Sequence, residues 1–235
     1  MADGVHSSTR SRFADAFRPT ITEGANRFSW LASDRPFDKL SILLSESSPA
    51  LLGWAYKYTA ERSTFIVECT EEAYRNNDLA TLAPTDTCTL LNRIFDPVLH
   101  GSHILSEPII RWSRYPVLNC ERLTHGNVVL VGDAGHTTHF SQGFGTMFAF
   151  DDALSLAEAL NTQDSISGAL TLYEETQQHK IGEFQKTAGL SMQWSERLLS
   201  AAGIKDGAAV QDLIEARWPN NQVTSSPLTG KPANQ

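Results

Sequence analysis

The sequence has little basic charge, few cysteines and no long apolar run, and each shortage excludes a class of protein. Its 235 residues contain 19 Lys or Arg against 27 Asp or Glu, which gives a net charge of −8. Because no run of basic residues offsets this balance, we expect neither nucleic acid nor a membrane surface as a partner. Apolar runs such as 128–131 are far shorter than the roughly 20 residues that a membrane helix needs.

Cysteines are scarce, which argues against a disulfide framework. Cys69, Cys88 and Cys120 are an odd number at wide and irregular spacing. This spacing fits neither paired disulfides nor a metal cluster, so we expect ordinary buried or half-buried thiols in a reducing compartment. Residues 1–10 also lack the apolar core of a signal peptide. We therefore expect a cytoplasmic protein without a bound metal.

The first half of the chain has the alternating pattern of an antiparallel sheet. Apolar and polar residues alternate in three runs, and a fourth run is rich in β-branched and aromatic residues. The short gaps between these runs favour hairpins. Trp30, Trp54, Tyr56 and Tyr58 either line an aromatic pocket or form ordinary core, which is the more common outcome. The predicted strands are 28–31, 40–44, 54–58 and 63–69.

After residue 126 the pattern changes. Residues 128–131 are aliphatic without alternation, as in a strand that is covered on both faces. A loop that contains glycine and histidine follows, and then an amphipathic helix over 146–160, whose apolar face includes Met147, Phe150 and Leu154. Strand, loop and helix in this order form a ligand crevice at the carboxyl end of the strand.

Further elements are predicted by capping residues, β-branched runs and helical spacing. Residues 219–235 contain almost nothing to bury, and we expect them to be disordered. The other predicted elements are a helix from Thr70, a helix over 85–95 that ends at Asp96-Pro97, a strand over 109–115, and a helix over 166–199 with Gly182 and Gly189 as candidate breaks.

The loop after residue 131 holds the residues best suited to bind a ligand. Gly132 allows close approach to the end of the strand, and the Asp133 carboxylate can accept hydrogen bonds from sugar-type hydroxyls. Gly143 and Gly145 expose backbone N–H groups where the helix begins, so such a loop binds polyols and anions. The alternative is that Asp133 only caps a turn and that the glycines only turn the chain.

These residues resemble the second flavin motif of the class A FAD-dependent aromatic monooxygenases, which share the para-hydroxybenzoate hydroxylase fold. The motif reads G-D-A-x-H, then G-x-G, then a helix that carries D-A and spaced leucines. Residues 139–146, like residues 63–69, are similar to a branch that includes the salicylyl-CoA and aminobenzoyl-CoA hydroxylases. Asp3-Gly4-x-x-Ser7-x-x-Arg10 resembles the D-G motif of the same family. The residues in register are Gly132, Asp133, Ala134, His136, Gly143, Gly145, Asp152, Ala153 and Leu156.

The resemblance runs from Asp3 to about Leu198 and implies an FAD site. In the family, the residue at Asp133 holds the ribityl hydroxyls, and the backbone around Thr146 and Met147 faces the flavin N1–C2=O edge. The positive end of the helix dipole would stabilise anionic reduced flavin there. The implied FAD-binding residues are Asp3, Arg10, Gly132, Asp133, His136, Gly143, Gly145, Thr146 and Met147, and the implied substrate-side residues are Trp112, Tyr115, His139 and Phe140.

The implied reaction is hydroxylation of a small aromatic substrate. NAD(P)H reduces the flavin, O₂ forms a flavin C4a-hydroperoxide, and oxygen passes to an electron-rich ring, so the cofactor performs the difficult step. The implied substrate is an aromatic acid, its acyl-CoA thioester, or an indole or aniline relative. No catalytic side chain is assigned.

The implied fold is α/β (α+β), with an antiparallel substrate-binding sheet and the C-terminal part of a Rossmann-like FAD-binding domain with long C-terminal helices. The expected segments are a D-G motif segment over 1–20, the substrate-binding sheet domain over 21–118, the C-terminal part of the FAD-binding domain over 119–200, and an extension over 201–235.

Several features depart from the family pattern. Phe140 stands where a proline is usual, and Met147 stands where Asn or Lys is usual. The sequence has no G-x-G-x-x-G after a strand, the element that cradles the ADP half of FAD. The chain therefore resembles an N-terminally truncated monooxygenase, and we expect it to self-associate or to need an N-terminal partner segment.

Alternatives stay open at this point. A non-catalytic module of the same fold would bind no flavin, and a small hydrolase using His136 or His139 would need a nucleophile that the sequence does not offer. The two histidines are also spaced as metal ligands, but no third ligand is evident, and loop or cofactor packing is the more common role. Arg10 meets a pyrophosphate or lies in solvent.

Overall fold

The computed structural model shows two compact units, each built from two stretches of the chain. Unit 1 consists of Met1–Gly24 and Tyr115–Gln193, and unit 2 consists of Ala25–Arg114 and the chain from Trp194 onward. The structure describes residues 1–105, 108–203 and 206–217. The disorder predicted from about residue 219 lies outside these ranges.

Strands dominate the first half of the chain and long helices the second half. The strands are β1 (Pro19–Ser33), β2 (Ser41–Leu44), β3 (Leu51–Lys57), β4 (Ser63–Cys69), β5 (Ile104–Leu105), β6 (Ser113–Cys120), β7 (Thr124–His125) and β8 (Val128–Val129). The helices are α1 (Ser8–Arg12), α2 (Ala14–Phe17), α3 (Glu71–Asn76), α4 (Pro84–Leu99), α5 (Gly145–Thr162), α6 (Ile166–Gly203) and α7 (Gly207–Arg217). Short 3-10 turns cover Gly132–Ala134 and Phe140–Gln142.

The main sheet has the strand order β2-β3-β4-β1-β5, and β6 also pairs with β1. Strands β1 to β5 pair antiparallel, with Ile66 of β4 opposite both Trp54 of β3 and Trp30 of β1. Because side chains alternate between the two faces of a sheet, one face buries the apolar residues that pack with α4. This core includes Leu31, Leu51, Phe65, Val67, Leu91 and Phe95.

The four predicted strands of the first half are confirmed, but the strand predicted over 109–115 is misplaced. The observed strand β6 begins at Ser113 and continues through Pro116 to Cys120. A proline removes only its own N–H donor, so a strand can continue through it where that donor is not needed. The Pro116 carbonyl still accepts a hydrogen bond from the Thr137 hydroxyl at 2.7 Å.

The predicted helices are confirmed with different ends. Helix α3 starts after Thr70, whose hydroxyl accepts a hydrogen bond from the Ala73 N–H at 3.1 Å. Helix α4 does not stop at Asp96-Pro97, because Pro97 lies in the last turn and costs one helical hydrogen bond at most. Helix α6 is continuous over 38 residues, so Gly182 and Gly189 do not break it.

The strand predicted over 128–131 is shorter and less covered than expected. Only Val128–Val129 form a strand, which pairs antiparallel with Thr124–His125. Val131 is half-buried rather than covered on both faces, and its N–H donates to the Met1 carbonyl at 3.0 Å. The short hairpin returns before a longer strand can form. Behind it lies the core of unit 1, which includes Phe17, Leu118, Leu123, Leu130, Ala159 and Tyr173.

The amphipathic helix is confirmed as α5, but the predicted apolar face is not the buried one. Phe150 and Leu154 are 67% and 70% exposed, whereas Phe148, Asp152 and Ala159 are buried. The buried side packs on the turn at Gly132–Ala134, and this tertiary contact overrides the periodicity. We call the exposed set the α5 outer face; it comprises Met147, Phe150, Leu154 and Leu160. No helix in the described part of the chain is both long and apolar enough to cross a membrane.

Candidate functional site

Gly132 lies where the chain turns from β8 towards α5. Its φ of +59° is a left-handed value that favours glycine, and a Cβ there would lie 3.0 Å from the Ala149 Cβ. Its N–H donates to Asp152 Oδ2 at 2.6 Å. The turn and the helix therefore approach so closely that a side chain at this position would push them apart.

Asp133 is exposed at the tip of this turn, whereas the residues that follow it are buried. Burial, with a further contribution from the charge of Asp133, raises the pKa of Tyr115 to about 12. The Asp133 carboxylate is thus open to ligand hydroxyls and acts electrostatically on a neighbouring phenol. The exposure of the carboxylate fits the predicted role of Asp133 in holding a polyol.

His136 and Asp152 form a buried pair under the turn. Their side chains are 4% and 0% exposed, and His136 Nε2 lies 2.8 Å from Asp152 Oδ2. Asp152 Oδ1 is buried without a hydrogen-bond partner among the described residues. Because His136 faces Asp152 in the interior, it positions the turn, and its contact with the cofactor stays a prediction.

The start of α5 carries unused backbone donors. Gly143 has a φ of +68°, and Phe144 precedes the helix without a side-chain cap. The first bond of the helix runs from the Phe148 N–H to the Phe144 carbonyl at 2.9 Å. The N–H groups of the first turn, which includes the exposed residues Thr146 and Met147, are therefore free for a ligand oxygen.

Asp3 lies on the surface in front of α1. Its carboxylate accepts hydrogen bonds from the Ser8 hydroxyl at 3.3 Å and from the Thr9 N–H at 3.2 Å. Hydrogen bonds, above all from the Ser7 hydroxyl, hold the pKa of Asp3 at about 2. Asp3 therefore stabilises the start of this short helix as a charged cap.

Arg10 connects the same helix to the turn after β8. It is buried, and its Nη1 donates to the Ala134 carbonyl at 2.7 Å, while its Nη2 donates to the Val5 carbonyl. The solvent-exposed alternative for Arg10 is therefore wrong. A charge-assisted bond across 124 residues ties the D-G segment to the ligand loop.

Three of the four predicted substrate-side residues lie together in unit 1. The ring centroid of His139 is 5.1 Å from that of Tyr115 and 4.2 Å from that of Phe140. The Tyr115 hydroxyl donates to the carbonyl of Thr138. Trp112 belongs to unit 2, where it packs on Tyr74 with ring centroids 6.0 Å apart.

Sequence reasoning missed a chain of hydroxyls beside His139. His139 Nδ1 lies 2.8 Å from Ser141 Oγ, which lies 2.7 Å from Ser191 Oγ. Ser191 had no local signal, because it follows Ser141 by 50 residues. Asp152 was also not assigned to the site, although the sequence shows it as the acid of the motif's D-A within the predicted helix.

Unit 2 contains a second buried acid that the sequence did not single out. Glu68 Oε1 accepts hydrogen bonds from Asn26 Nδ2 at 2.8 Å and Ser195 Oγ at 2.7 Å, and Oε2 accepts one from Trp54 Nε1 at 3.0 Å. Burial raises the pKa of Glu68. Of the four sheet aromatics, Trp54 is core, whereas Trp30, Tyr56 and Tyr58 are exposed.

The histidines and cysteines form no cluster of three metal-ligating groups in the described ranges. The predicted buried thiols are confirmed: Cys69, Cys88 and Cys120 are buried, and no disulfide joins them in the described ranges. Burial raises the pKa of Cys69 to about 12 and that of Cys120 to about 11. These two thiols are therefore poor nucleophiles at neutral pH.

Curated relatives of this chain are monooxygenases. It is 31% identical over 218 residues to protodeoxyviolaceinate monooxygenase of Chromobacterium violaceum, covering 92% of the chain and 58% of that protein. It is 38% identical over 199 residues to 3-hydroxy-4-methyl-anthranilyl-[aryl-carrier protein] 5-monooxygenase of Streptosporangium sibiricum, covering 84% and 52%. It is 32% identical over 206 residues to salicyloyl-CoA 5-hydroxylase of a Streptomyces species, covering 83% and 40%. The chain thus spans between two fifths and three fifths of these relatives.

Solved structures support the fold. HpxO of Klebsiella pneumoniae, complexed with FAD and uric acid, matches 91% of this chain and 55% of that chain with a TM-score of 0.66 at 21% identity. The family model described as FAD binding domain matches residues 1–175, which include the D-G segment, the Gly132 turn and all of α5. Since this match covers most of the chain, the protein belongs to the FAD binding domain family.

Proposed function

We propose that this chain forms the substrate-binding sheet, within residues 21–118, and the flavin-contacting part, within 119–200, of an FAD-dependent aromatic monooxygenase. The observation that carries the proposal is the segment from Gly132 to Met147. It combines a turn without room for a side chain, an exposed carboxylate and an uncapped helix start. The names of the relatives support the reaction class.

The residues of this segment fit FAD. Asp133 would hold the ribityl hydroxyls, and the N–H groups of Thr146 and Met147 would face the pyrimidine edge of the flavin. Gly143 and Gly145 keep that approach free of side chains. When bound, the flavin would accept electrons from NAD(P)H and transfer an oxygen atom of O₂ to an aromatic ring. The helix start stabilises negative charge on the flavin, and Arg10 and the His136–Asp152 pair hold the turn in place.

The substrate in this proposal is a small aromatic acid carried as a thioester. Tyr115, His139 and Phe140 provide a compact aromatic wall next to the flavin-contacting loop, and Trp112 is the residue proposed from the sheet domain. Relatives named for an anthranilyl group on a carrier protein and for salicyloyl-CoA support this class. We place the reaction in the cytoplasm, since the sequence has three cysteines at a wide and irregular spacing that fits no disulfide framework.

The α5 outer face needs a partner in the flavin-loaded state. Large apolar side chains such as Phe150 and Leu154 are exposed along one side of the helix. We assign this face to a glycine-fingerprint segment that cradles the ADP half of FAD, supplied in cis or in trans. Self-association through the same face is the alternative. Co-expression with such a segment would give a yellow, monomeric complex in the first case, and colourless oligomers in the second.

Asp133→Ala tests the cofactor assignment. Loss of charge-assisted hydrogen bonds weakens FAD binding by about 10- to 100-fold without unfolding the protein. Affinity is measured by flavin fluorescence, with and without the glycine-fingerprint segment, and Asp164→Ala is the exposed control. Equal FAD affinity of the variant and the wild type would remove Asp133 from the site. If neither preparation binds FAD, the non-catalytic alternative is the correct one.

A further inference from the structure

Three arginines converge on one carboxylate in unit 2. Arg27 Nε and Arg114 Nη2 lie 2.7 Å and 2.9 Å from Glu71 Oε2, and Arg75 Nε lies 3.1 Å from Glu71 Oε1. We call these four residues the Glu71 cluster. Hydrogen bonds, first from Arg27 and then from Arg114, hold the pKa of Glu71 at about 2, so the carboxylate stays charged at neutral pH.

The cluster has more positive charge than its own carboxylate can balance. One arginine would be enough to neutralise Glu71 and to hold α3 in place. Two further guanidinium groups close to the first repel one another, and an anion that binds between them would remove this repulsion. The excess also contrasts with the net charge of −8 for the whole chain.

The arginines are arranged so that donors remain for a ligand. One nitrogen of each guanidinium contacts Glu71, whereas an arginine has five N–H donors in a planar fork. The Arg27 guanidinium lies 4.3 Å from the ring centroid of Tyr74, which fixes its plane. The side chains of Arg27 and Arg114 are 25% and 31% exposed, so a ligand can reach a partly desolvated and oriented set of donors.

We infer that the Glu71 cluster binds a phosphate group of the CoA moiety of a thioester substrate. The inference rests on the proposed function, since it concerns the carrier of the same aromatic acid. Planar guanidinium groups bind phosphate through two parallel hydrogen bonds, and each of the three groups keeps N–H donors that its contact with Glu71 does not use. CoA carries a 3′-phosphate and a pyrophosphate, whereas the arm of a carrier protein has one phosphodiester, so CoA fits a group of three arginines better.

Titration of the full chain with CoA, dephospho-CoA, pantetheine and inorganic phosphate tests the inference. CoA binds at least about 10-fold more tightly than pantetheine, which has no phosphate, and its affinity falls as salt is added. Dephospho-CoA shows whether the 3′-phosphate or the pyrophosphate is held. Inorganic phosphate that binds as tightly as CoA would overturn the assignment to a thioester carrier, and so would binding of a phosphopantetheinylated carrier protein without binding of CoA.

Substitution of the arginines locates the site. Arg75→Gln and Arg114→Gln each weaken CoA binding by about 5- to 30-fold and leave pantetheine binding unchanged. Arg75 is 75% exposed, so its loss leaves the fold intact if Arg114→Gln should unfold. Arg62→Gln, at an exposed arginine in another turn, is the matched control. CoA binding that is absent, or equal in all variants, overturns the inference, whereas the FAD titration of Asp133→Ala tests the proposed function independently.

Discussion

Asp152 in unit 1 and Glu68 in unit 2 are both buried acids, 0% and 2% exposed, but their partners differ. Asp152 lies against an imidazole and a backbone N–H, from His136 and Gly132. Glu68 accepts hydrogen bonds from the neutral side chains of Asn26, Trp54 and Ser195. Equal burial therefore has two different chemical consequences.

The comparison shows that two acids of similar burial hold different parts of the fold. A buried carboxyl group needs hydrogen-bond donors around it in place of water. Asp152 holds the ligand-binding turn through His136 and the Gly132 N–H. Glu68 connects β1, β3 and β4, and its burial raises its pKa although its three donors act in the opposite direction.

Removal of Asp152 gives the largest expected effect and tests the unit 1 side of the comparison. Asp152→Ala leaves His136 and the Gly132 N–H without their buried partner, which lowers the free energy of unfolding by about 3–5 kcal/mol. Urea unfolding measures the change, and Asp164→Ala is the exposed control. A loss below about 1 kcal/mol would mean that the pair contributes little to holding the turn.

A side chain at Gly132 tests the same turn without touching its charges. Gly132→Ala forces a left-handed φ on alanine and brings its Cβ to 3.0 Å from Ala149, so we expect a loss of about 1–3 kcal/mol in unfolding free energy. Gly182→Ala should raise the unfolding free energy by up to about 1 kcal/mol. Gly182 lies within a helix, and a Cβ there would meet open space. Equal effects of the two substitutions would contradict the close approach of turn and helix.

The pH dependence of stability tests the unit 2 side and has the smallest expected effect. Burial raises the folded-state pKa of Glu68, so its stabilising contribution is complete below the unfolded pKa of about 4.3 and is lost as pH rises through the folded pKa. Glu68→Gln cannot ionise and removes this part of the slope, at a cost of about 1 kcal/mol at low pH for one mismatched hydrogen bond. The free energy of unfolding of the wild type and of Glu68→Gln is measured from pH 4 to about 8. The same pH dependence in both proteins would contradict a raised pKa of Glu68.

The strands and helices were largely predictable, whereas the covering of their faces was not. Residues 63–69 form β4 as their β-branched composition indicates, and α5 begins where the glycines of the loop place it. The periodicity of α5 identified an apolar stripe, yet the buried side contains Asp152 and the stripe is exposed at Phe150. Periodicity reports which residues share a face, but the neighbour that packs on a helix determines which face is buried.

Sequence alone determined the antiparallel sheet, the glycine turn with Asp133 at its tip, and the family resemblance carried by the residues around it. These features depend on local backbone conformation and on side-chain alternation, which short stretches of sequence encode. Only the tertiary structure decided that Arg10 is bonded to the Ala134 carbonyl and that Glu71 gathers three arginines. Such contacts join residues that are far apart in the chain, and their geometry arises only when the strands and helices have packed.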